Sequence, residues 1–409
     1  MQAFLSKNSD YNKSERRTFK SQLDLALYLS YLEARKGGKR RTHDEHDFEI
    51  NLFANLQSLS KDILDKTYYP LRSTAHIITK PVIREIFAAP FRDRIVHHLL
   101  FGSVYDWWDG HFVYDSYSCR LDKGVLFGIR RLDHHIRSAS ENYKYRVYVC
   151  KLDIQGYFMS LPRRELYQRA VWGLNLQYRN KKHTREYDIL KFLWQRTIMD
   201  DPVKGARKKG DLDAWTYLPT SKSLFNQPSG QGIVIGNLTS QLLSNIYLDQ
   251  LDRFVTLELG YKHYGRYVDD FFIVVKEEQL RQLKNDIRVI EEYLRLIGLT
   301  LHPRKRLLKE SKYGIPFLGA TVYHDHIVPG ERLVKNAKRA MKEVVSGKRT
   351  IDSVPSYMGH FKYFNSYSIL KQIFTETGWD YASDDLLRTA FQKTRKSPLS
   401  DDFLFPYFD

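Results

Sequence analysis

Three aspartates lie beside segments with strand propensity, and their positions constrain this chain more than any other feature. Asp269 and Asp270 lie inside the apolar run 267–275, and Asp153 directly follows the strand-like run 147–152. Burying two adjacent carboxylates among strand residues is costly unless a cation compensates their charge. Neighbouring residues of an extended strand face opposite ways, whereas a hairpin turn can display both side chains at its tip. Taken alone, an Asp-Asp pair such as Asp269-Asp270 is more often an acidic loop on a sheet edge than a functional site.

The third carboxylate changes this interpretation. Together, Asp153, Asp269 and Asp270 could hold two Mg²⁺ ions about 3.5–4 Å apart, the arrangement that serves in-line nucleotidyl transfer. One metal then lowers the pKa of an attacking 3′-hydroxyl, and both metals stabilise the charge of the transition state. The protein contributes positioning and electrostatics. The pattern therefore indicates a candidate two-metal site at two strand ends.

Composition narrows the class of partner. The 409 residues include 65 Lys and Arg against 48 Asp and Glu, which gives a formal charge of +17. This excess, with 28 Tyr and 23 Phe, favours nucleic acid, because cations neutralise phosphates and aromatic faces stack on bases. A solvated basic surface is the alternative. The two cysteines exclude a disulfide framework and a four-cysteine zinc site.

The sequence also bears on location. The N-terminal segment lacks the apolar region of a signal peptide, and no apolar run approaches the ~20 residues that a membrane span requires. We therefore expect a soluble cytoplasmic protein with no membrane partner.

Hydrophobic periodicity and turn residues predict an α+β protein with several subdomains. Helices are expected in residues 1–66, over 92–108, after Gly236, over 277–297 and in the basic tail from Arg332 onward. Strands are expected between residues 68 and 86, over 146–152, and in two hairpins over 266–274 and 313–328. Residues 174–230 are polar and basic, and we expect them to form an irregular insertion.

Three motifs resemble those of reverse transcriptases, and they occur in the order that the family shows. Asp153-Ile-Gln-Gly-Tyr-Phe158 is similar to the first catalytic motif, and Tyr267-Val-Asp-Asp270 is similar to the YxDD box. The segment 232–241, GIVIGNLTSQ, resembles the motif between them. Phe317-Leu318-Gly319 falls where the family has its primer-grip hairpin, and Lys305 falls where it carries a lysine near the leaving pyrophosphate. Each motif alone is a weak signal, whereas the ordered set is a strong one.

Within this family the chain resembles the enzymes of diversity-generating retroelements. The segments 84–98 and 117–120 and the run Gly265-Arg-Tyr-Val-Asp-Asp270 are similar to theirs. The most specific signal is Ile235-Gly236-x-x-x-Ser240-Gln241. Ordinary reverse transcriptases usually carry Gln-Gly and then Ser-Pro there, whereas the retroelement enzymes carry an aliphatic residue and a final Gln. The resemblance runs from about residue 68 to residue 323, and residues 1–66 carry no motif.

The resemblance implies a right-hand polymerase of the α+β class, with an antiparallel-sheet palm and helical N- and C-terminal regions. The expected divisions are a helical N-terminal region over 1–66, fingers over 67–145, a palm over 146–328 that contains the insertion 174–230, and a helical thumb and tail over 329–409.

It also implies roles for individual residues. Asp153, Asp269 and Asp270 are the expected catalytic metal ligands, with the backbone carbonyl of Ile154 as a further oxygen. Phe158 stands at the steric-gate position, where an aromatic ring excludes the 2′-hydroxyl. The expected nucleotide-binding residues are Lys80, Arg84, Phe158, Ile235, Gly236, Gln241 and Lys305. Lys80 is equally consistent with a solvated loop lysine, and Arg304 or Arg306 could substitute for Lys305. The expected primer and template contacts are Tyr267, Phe317, Leu318, Gly319, Lys335, Lys338, Arg339 and Lys342.

The implied reaction is the copying of a template-repeat RNA into cDNA from dNTPs, with two Mg²⁺ ions and with errors opposite adenine. The resemblance further implies a bacterial or phage-encoded ribonucleoprotein with a small basic accessory variability protein. One alternative is a group II intron-like or retron-like reverse transcriptase, whose errors would not concentrate at template adenines. Another is a catalytically idle RNA-binding protein that keeps a polymerase shell, although the three intact aspartates count against it.

Overall fold

The computed structural model describes residues 13–36, 42–79, 82–351 and 354–378. Its helices are α1 (Lys13–Lys36), α2 (His43–Ile50), α3 (Leu52–Leu64), α4 (Phe91–His111), α5 (Val125–Ala139), α6 (Tyr157–Ser160), α7 (Arg163–Gln177), α8 (Arg185–Met199), α9 (Leu238–Arg253), α10 (Leu280–Leu296), α11 (Glu331–Val345), α12 (Val354–Phe361) and α13 (Tyr367–Thr377). Its strands are β1 (Thr74–Ile78), β2 (Arg84–Ala88), β3 (Val147–Ile154), β4 (Arg207–Lys208), β5 (Tyr264–Tyr267), β6 (Asp270–Lys276), β7 (Leu301–Glu310), β8 (Ile315–Phe317), β9 (Ala320–Val322) and β10 (Ile327–Pro329). The α+β class is confirmed.

A four-stranded antiparallel sheet with the strand order β5-β6-β3-β7 forms the centre of the fold. The apolar run of β6 is buried on both faces, as such runs are where both sides of a sheet are covered. Phe271, Ile273 and Val275 point into the main core, whereas Phe272 and Val274 point into a second core with α5 and the strands β8 to β10. This double burial explains why the segment shows no alternation of polar and apolar residues.

Helix α9 fills the main core beside this sheet. Twelve of its sixteen residues are buried, so it is apolar or hydrogen-bonded around most of its circumference. Helices α4 and α7 pack against it. Helix α10 ends at Leu296, Ile297 is its C-cap, and Gly298 follows with φ of +75°, as the sequence predicts for a residue just beyond a helix end.

Two smaller sheets flank the central one. The first has the order β2-β1-β4, in which β1 pairs antiparallel with β2 and parallel with β4. The second is the antiparallel sheet β10-β9-β8. The hairpin predicted over 313–328 is confirmed by the antiparallel pair β8 and β9, and β10 adds a third strand that the sequence did not predict.

The prediction that residues 174–230 form an irregular insertion is wrong for the first half of that segment. Helix α8 lies there, and its apolar residues Tyr187, Ile189, Leu190, Leu193, Trp194 and Ile198 are buried in the main core. Thr184 caps its first turn by accepting a hydrogen bond from the Tyr187 N–H. The polar residues on either side of the helix masked this apolar face in the composition of the segment.

Helices are confirmed in the described parts of the N- and C-terminal regions. Helix α1 packs on α4 and α3, and helices α11 to α13 share a separate core around Met341, Met358 and Phe361. Among the described helices, none combines the length and the hydropathy needed to cross a membrane. The proposed division into fingers, palm and thumb stays a prediction.

Candidate active site

The turn that carries Asp269 is held in a conformation that its sequence would not favour by itself. Val268 has φ of +55°, a region where a β-branched residue is rare and costs about 1–3 kcal/mol. The Arg266 guanidinium donates to the Val268 carbonyl at 2.9 Å, and the Val268 N–H donates to the Ser118 hydroxyl at 3.2 Å. Arg266 is completely buried and donates to both oxygens of Asp252, at 2.6 and 2.7 Å. This buried ion pair fixes the turn.

The register of β3 and β6 brings the three aspartates to one end of the sheet. Asp153 lies opposite Asp270, and residues so opposed are neighbours on one face. The Ile154 N–H donates to the Asp269 carbonyl at 3.1 Å, which holds the hairpin turn beside the end of β3. The role of the Ile154 carbonyl as a metal ligand stays a prediction.

Burial and repulsion between carboxylates disfavour the charged forms of Asp269 and Asp270. Burial, followed by the charge of Asp153, raises the pKa of Asp269 to about 6. Burial also raises the pKa of Asp270, although the ammonium group of Lys151 opposes this effect. The Oδ1 atom of Asp270 is buried without a hydrogen-bond partner. The site therefore favours additional positive charge.

We expect Asp269→Asn to raise the melting temperature of the metal-free protein near neutral pH. The carboxyl is protonated in both states below pH ~4 and charged in both above pH ~6, so the cost of burying its charge develops between these values. A rise of about two pKa units corresponds to at most about 3 kcal/mol. Melting curves recorded in chelator should show the gain near pH 7 and not near pH 4. An equal gain at both pH values would contradict the repulsion.

Two lysines supply the nearest positive charge. Lys305 donates to both carboxylate oxygens of Asp153, at 3.0 and 2.9 Å. Lys151 lies 3.0 Å from Asp270 Oδ2 and also donates to the Pro316 carbonyl at 3.1 Å. The sequence reasoning missed Lys151, although its position two residues before Asp153 on a strand places both side chains on one face.

Both lysines occupy carboxylate oxygens that a metal ion would otherwise use. In the described ranges, no three Asp, Glu, His or Cys side chains converge as a metal site. The donor set nevertheless fits Mg²⁺, which prefers carboxylate oxygens and is held by one or two carboxylates in nucleotide-handling sites. Asp270 has an unpartnered buried oxygen, and Asp269 is destabilised in its charged form. Asp153, Asp269 and Asp270 would hold the metals.

Backbone hydrogen bonds connect several of the residues that are predicted to face the nucleotide. The Ile233 N–H donates to the Phe158 carbonyl at 2.9 Å, and the Phe87 N–H donates to the Ile235 carbonyl at 2.8 Å. Gly236 has φ of +129°, and a Cβ there would lie 2.3 Å from the Phe87 carbonyl oxygen, so only glycine fits. These bonds join Phe158, which is the predicted steric gate, to the segment that contains Ile235 and to strand β2.

The other predicted nucleotide-binding residues differ in exposure. Arg84 is exposed on β2, and Gln241 is exposed in the first turn of α9. Lys80 lies outside the described residues. No contact of Arg84 or Gln241 with the aspartates is present in the described part of the chain, so their roles stay predictions.

The predicted primer and template residues fall into two groups. Tyr267 is half-buried at the end of β5, and Phe317 is buried with Lys151 5.7 Å from its ring centroid. Leu318 and Gly319 form the β8–β9 turn, both with positive φ. On α11, Lys335, Arg339 and Lys342 are exposed, whereas Lys338 is half-buried and forms an ion pair with Glu376 of α13.

Comparisons with known proteins bear on this arrangement. Residues 90–322 match the family described as reverse transcriptase (RNA-dependent DNA polymerase). Protein YkfC of Escherichia coli (strain K12) is 24% identical over 307 residues, covering 66% of this chain and 72% of YkfC. The family match spans more than half of the chain and includes the three aspartates.

Two solved structures are also similar to this chain. An apo telomerase from Candida tropicalis matches 80% of it at 10% identity with a TM-score of 0.45. A telomerase from Candida albicans in complex with a TWJ fragment of telomeric RNA matches 83% of it at 11% identity with a TM-score of 0.41. The chain spans only 61% and 62% of these two telomerase chains.

Proposed function

This chain belongs to the reverse transcriptase family of RNA-directed DNA polymerases, and on that premise we propose that it copies RNA into cDNA at Asp153, Asp269 and Asp270. The observation that supports this site is the register of β3 and β6, which sets Asp153 opposite Asp270 with the Asp269 turn beside them, and Asp270 keeps a buried, unpartnered oxygen. Two bound Mg²⁺ ions would lower the pKa of the primer 3′-hydroxyl and stabilise charge on the transferred phosphoryl group.

The protein's own side chains would hold the metal ligands in place, stabilise charge and exclude ribonucleotides. The Arg266–Asp252 pair fixes the Asp269 turn, so the carboxylate needs little reorganisation during the reaction. Lys305, which donates to Asp153, would stabilise negative charge on the departing pyrophosphate. The ring of Phe158 would stand against the 2′ position of the sugar and thereby select dNTPs.

We further propose that the template is the repeat RNA of a diversity-generating retroelement and that errors concentrate at template adenines. The support is the run from Ile235 to Gln241, together with the half-buried position of Ile235 on the same backbone segment that bonds to Phe158 and Phe87. The small basic accessory protein and the cytoplasmic location belong to the same proposal. The two cysteines, Cys119 and Cys150, are free thiols, as in a reducing compartment.

The deciding experiment is primer extension on a defined RNA template with dNTPs and Mg²⁺, followed by sequencing of the cDNA. Extension with errors concentrated at adenines supports the full proposal. Extension with evenly distributed errors favours a group II intron-like or retron-like enzyme. RNA binding without extension would mean that the chain is a catalytically idle RNA-binding protein.

RNA affinity should fall steeply with salt, because exposed cations of α11 release counterions from phosphates. We expect Arg339→Gln and Lys342→Gln each to reduce the slope of log affinity against log salt by about 0.7–0.9. Lys20→Gln is the matched control, because Lys20 is an exposed cation on α1 that pairs with Asp24. Equal slopes for all three variants and the wild type would contradict an RNA-tracking role of α11.

A further inference from the structure

A small core, separate from the main one, lies directly beneath Phe158 and Ile235. Both side chains are half-buried and pack against it, and its five buried members are Ala75, Phe87, Met159, Leu224 and Val234. Because packed interiors transmit small displacements, a shift in this core would move both side chains. Phe158 and Ile235, which face the nucleotide in the proposed function, therefore pack on the same core.

Residues 203–226 supply much of this small core, and they lie within the segment 174–230 that was predicted to be an insertion. Strand β4 joins this segment to the sheet β2-β1-β4. The Arg207 N–H donates to the Ser73 carbonyl at 3.0 Å, and the Lys209 N–H donates to the Ala75 carbonyl at 2.8 Å. The Phe225 ring stacks on Phe87 with 5.6 Å between centroids. The ammonium group of Lys208 lies 4.4 Å from the Trp215 ring centroid and 4.7 Å from that of Phe225.

One buried carboxylate joins this segment to strand β2. Glu85 is 1% exposed, and it accepts a hydrogen bond from the Ser223 hydroxyl at 2.6 Å and another from the Leu224 N–H at 2.7 Å. Burial raises the pKa of Glu85, whereas the two hydrogen bonds lower it. A carboxylate is retained at such a position only when its oxygens are satisfied. Each Glu85 oxygen has one of these donors.

A contact between Leu224 and Gly232 links the Glu85 hydrogen bonds to the segment that contains Ile235. Leu224 packs so closely on Gly232 that a Cβ at Gly232 would lie 2.3 Å from Leu224 Cδ1. Gly232 begins the segment whose N–H at Ile233 binds the Phe158 carbonyl and whose carbonyl at Ile235 binds Phe87. A displacement of Leu224 would therefore be felt at both ends of this segment.

We propose that Glu85 is a positioning residue for nucleotide selection: by holding Ser223 and Leu224, it sets where Phe158 and Ile235 lie against the incoming nucleotide. Segment 203–226 then determines specificity together with Ile235. This inference rests on the proposed polymerase function, and it adds a determinant outside the residues that face the nucleotide.

The test compares Ser223→Ala and Glu85→Gln with a matched control, Tyr178→Phe. Ser223→Ala removes the hydroxyl that donates to Glu85. Tyr178→Phe likewise removes a hydroxyl that donates to a buried glutamate, Glu186 of α8. For Ser223→Ala we expect the KM for the correct dNTP to rise about three- to tenfold with kcat within about twofold, since a hydrogen bond to a charged group is lost. Misincorporation and ribonucleotide incorporation should rise as well. Glu85→Gln should shift the same quantities in the same direction, and Tyr178→Phe should leave them unchanged.

Thermal unfolding of all three variants separates positioning from a merely structural role. If Ser223→Ala and Glu85→Gln lower the melting temperature as Tyr178→Phe does but keep wild-type KM and error frequencies, the assignment of Glu85 is overturned. If the wild type itself shows no Mg²⁺-dependent extension, the proposed function fails, and the role of Glu85 fails with it. These two failures are distinguishable because the second is seen before any variant is measured.

Discussion

Asp269→Asn is expected to abolish Mg²⁺-dependent cDNA synthesis while RNA affinity stays close to that of the wild type. The substitution keeps the shape of the side chain but removes a carboxylate from the point where β3 and β6 meet. Loss of one group that stabilises transition-state charge costs about 10²–10³ in rate, and a metal ligand should cost at least as much. In the proposed function, RNA binding depends instead on cations such as Arg339 and Lys342, which lie on helix α11. Primer extension and filter binding on the same RNA measure the two effects separately.

Asp249→Asn is the matched control for this substitution. Asp249 is completely buried in α9, burial raises its pKa, and its Oδ1 atom has no hydrogen-bond partner. It therefore resembles the site carboxylates electrostatically but pairs with Arg253 away from the sheet end. If Asp269→Asn extends a primer at near wild-type rate, the metal-site assignment is wrong. If both variants lose activity equally, buried charge in general, rather than the sheet-end site, would be responsible.

The local parts of this fold could be predicted from sequence because their signals are local. The β5–β6 hairpin, the helix after Gly236 and the helix end at Gly298 each depend on contiguous apolar residues and turn residues. The order of the three motifs also predicted that Asp153 would meet Asp269 and Asp270. The antiparallel register of β3 and β6 then accounts for this meeting.

The remaining features depend on contacts between distant residues. Glu85 and Ser223 are separated by 138 positions, and neither carries a motif that would pair them. The contact of Lys151 with the Pro316 carbonyl requires β8 to lie beside β3, which strand propensity cannot specify. Helix α8 was missed for a different reason: its apolar face is periodic, but the polar residues around it dominated the interpretation of the whole segment.

Ile235→Gln is expected to lower misincorporation at template adenines about ten- to a hundredfold while synthesis is retained. Accurate reverse transcriptases usually carry Gln at this position, where a polar side chain lies beside the nascent base pair. Ile has no hydrogen-bonding group and is stiff at χ1. One or two polar contacts are each worth about 1 kcal/mol or more, and about 1.4 kcal/mol corresponds to a factor of ten. The backbone bond from Phe87 to the Ile235 carbonyl is independent of the side chain, so the segment should keep its path.

The competing explanation is that Ile235 only packs, because its side chain contacts the small core around Phe87 and Leu224. Ile235→Leu tests this explanation, since leucine keeps the apolar volume and adds no polar group. If packing alone matters, Ile235→Gln disturbs the core and shifts errors at all template bases alike, whereas Ile235→Leu stays close to the wild type. If the missing polar contact matters, only Ile235→Gln reduces errors, and it does so more at adenine than at other bases. Sequencing cDNA from matched reactions distinguishes these results, and an unchanged adenine error rate in an active Ile235→Gln enzyme would rule out the polar-contact hypothesis.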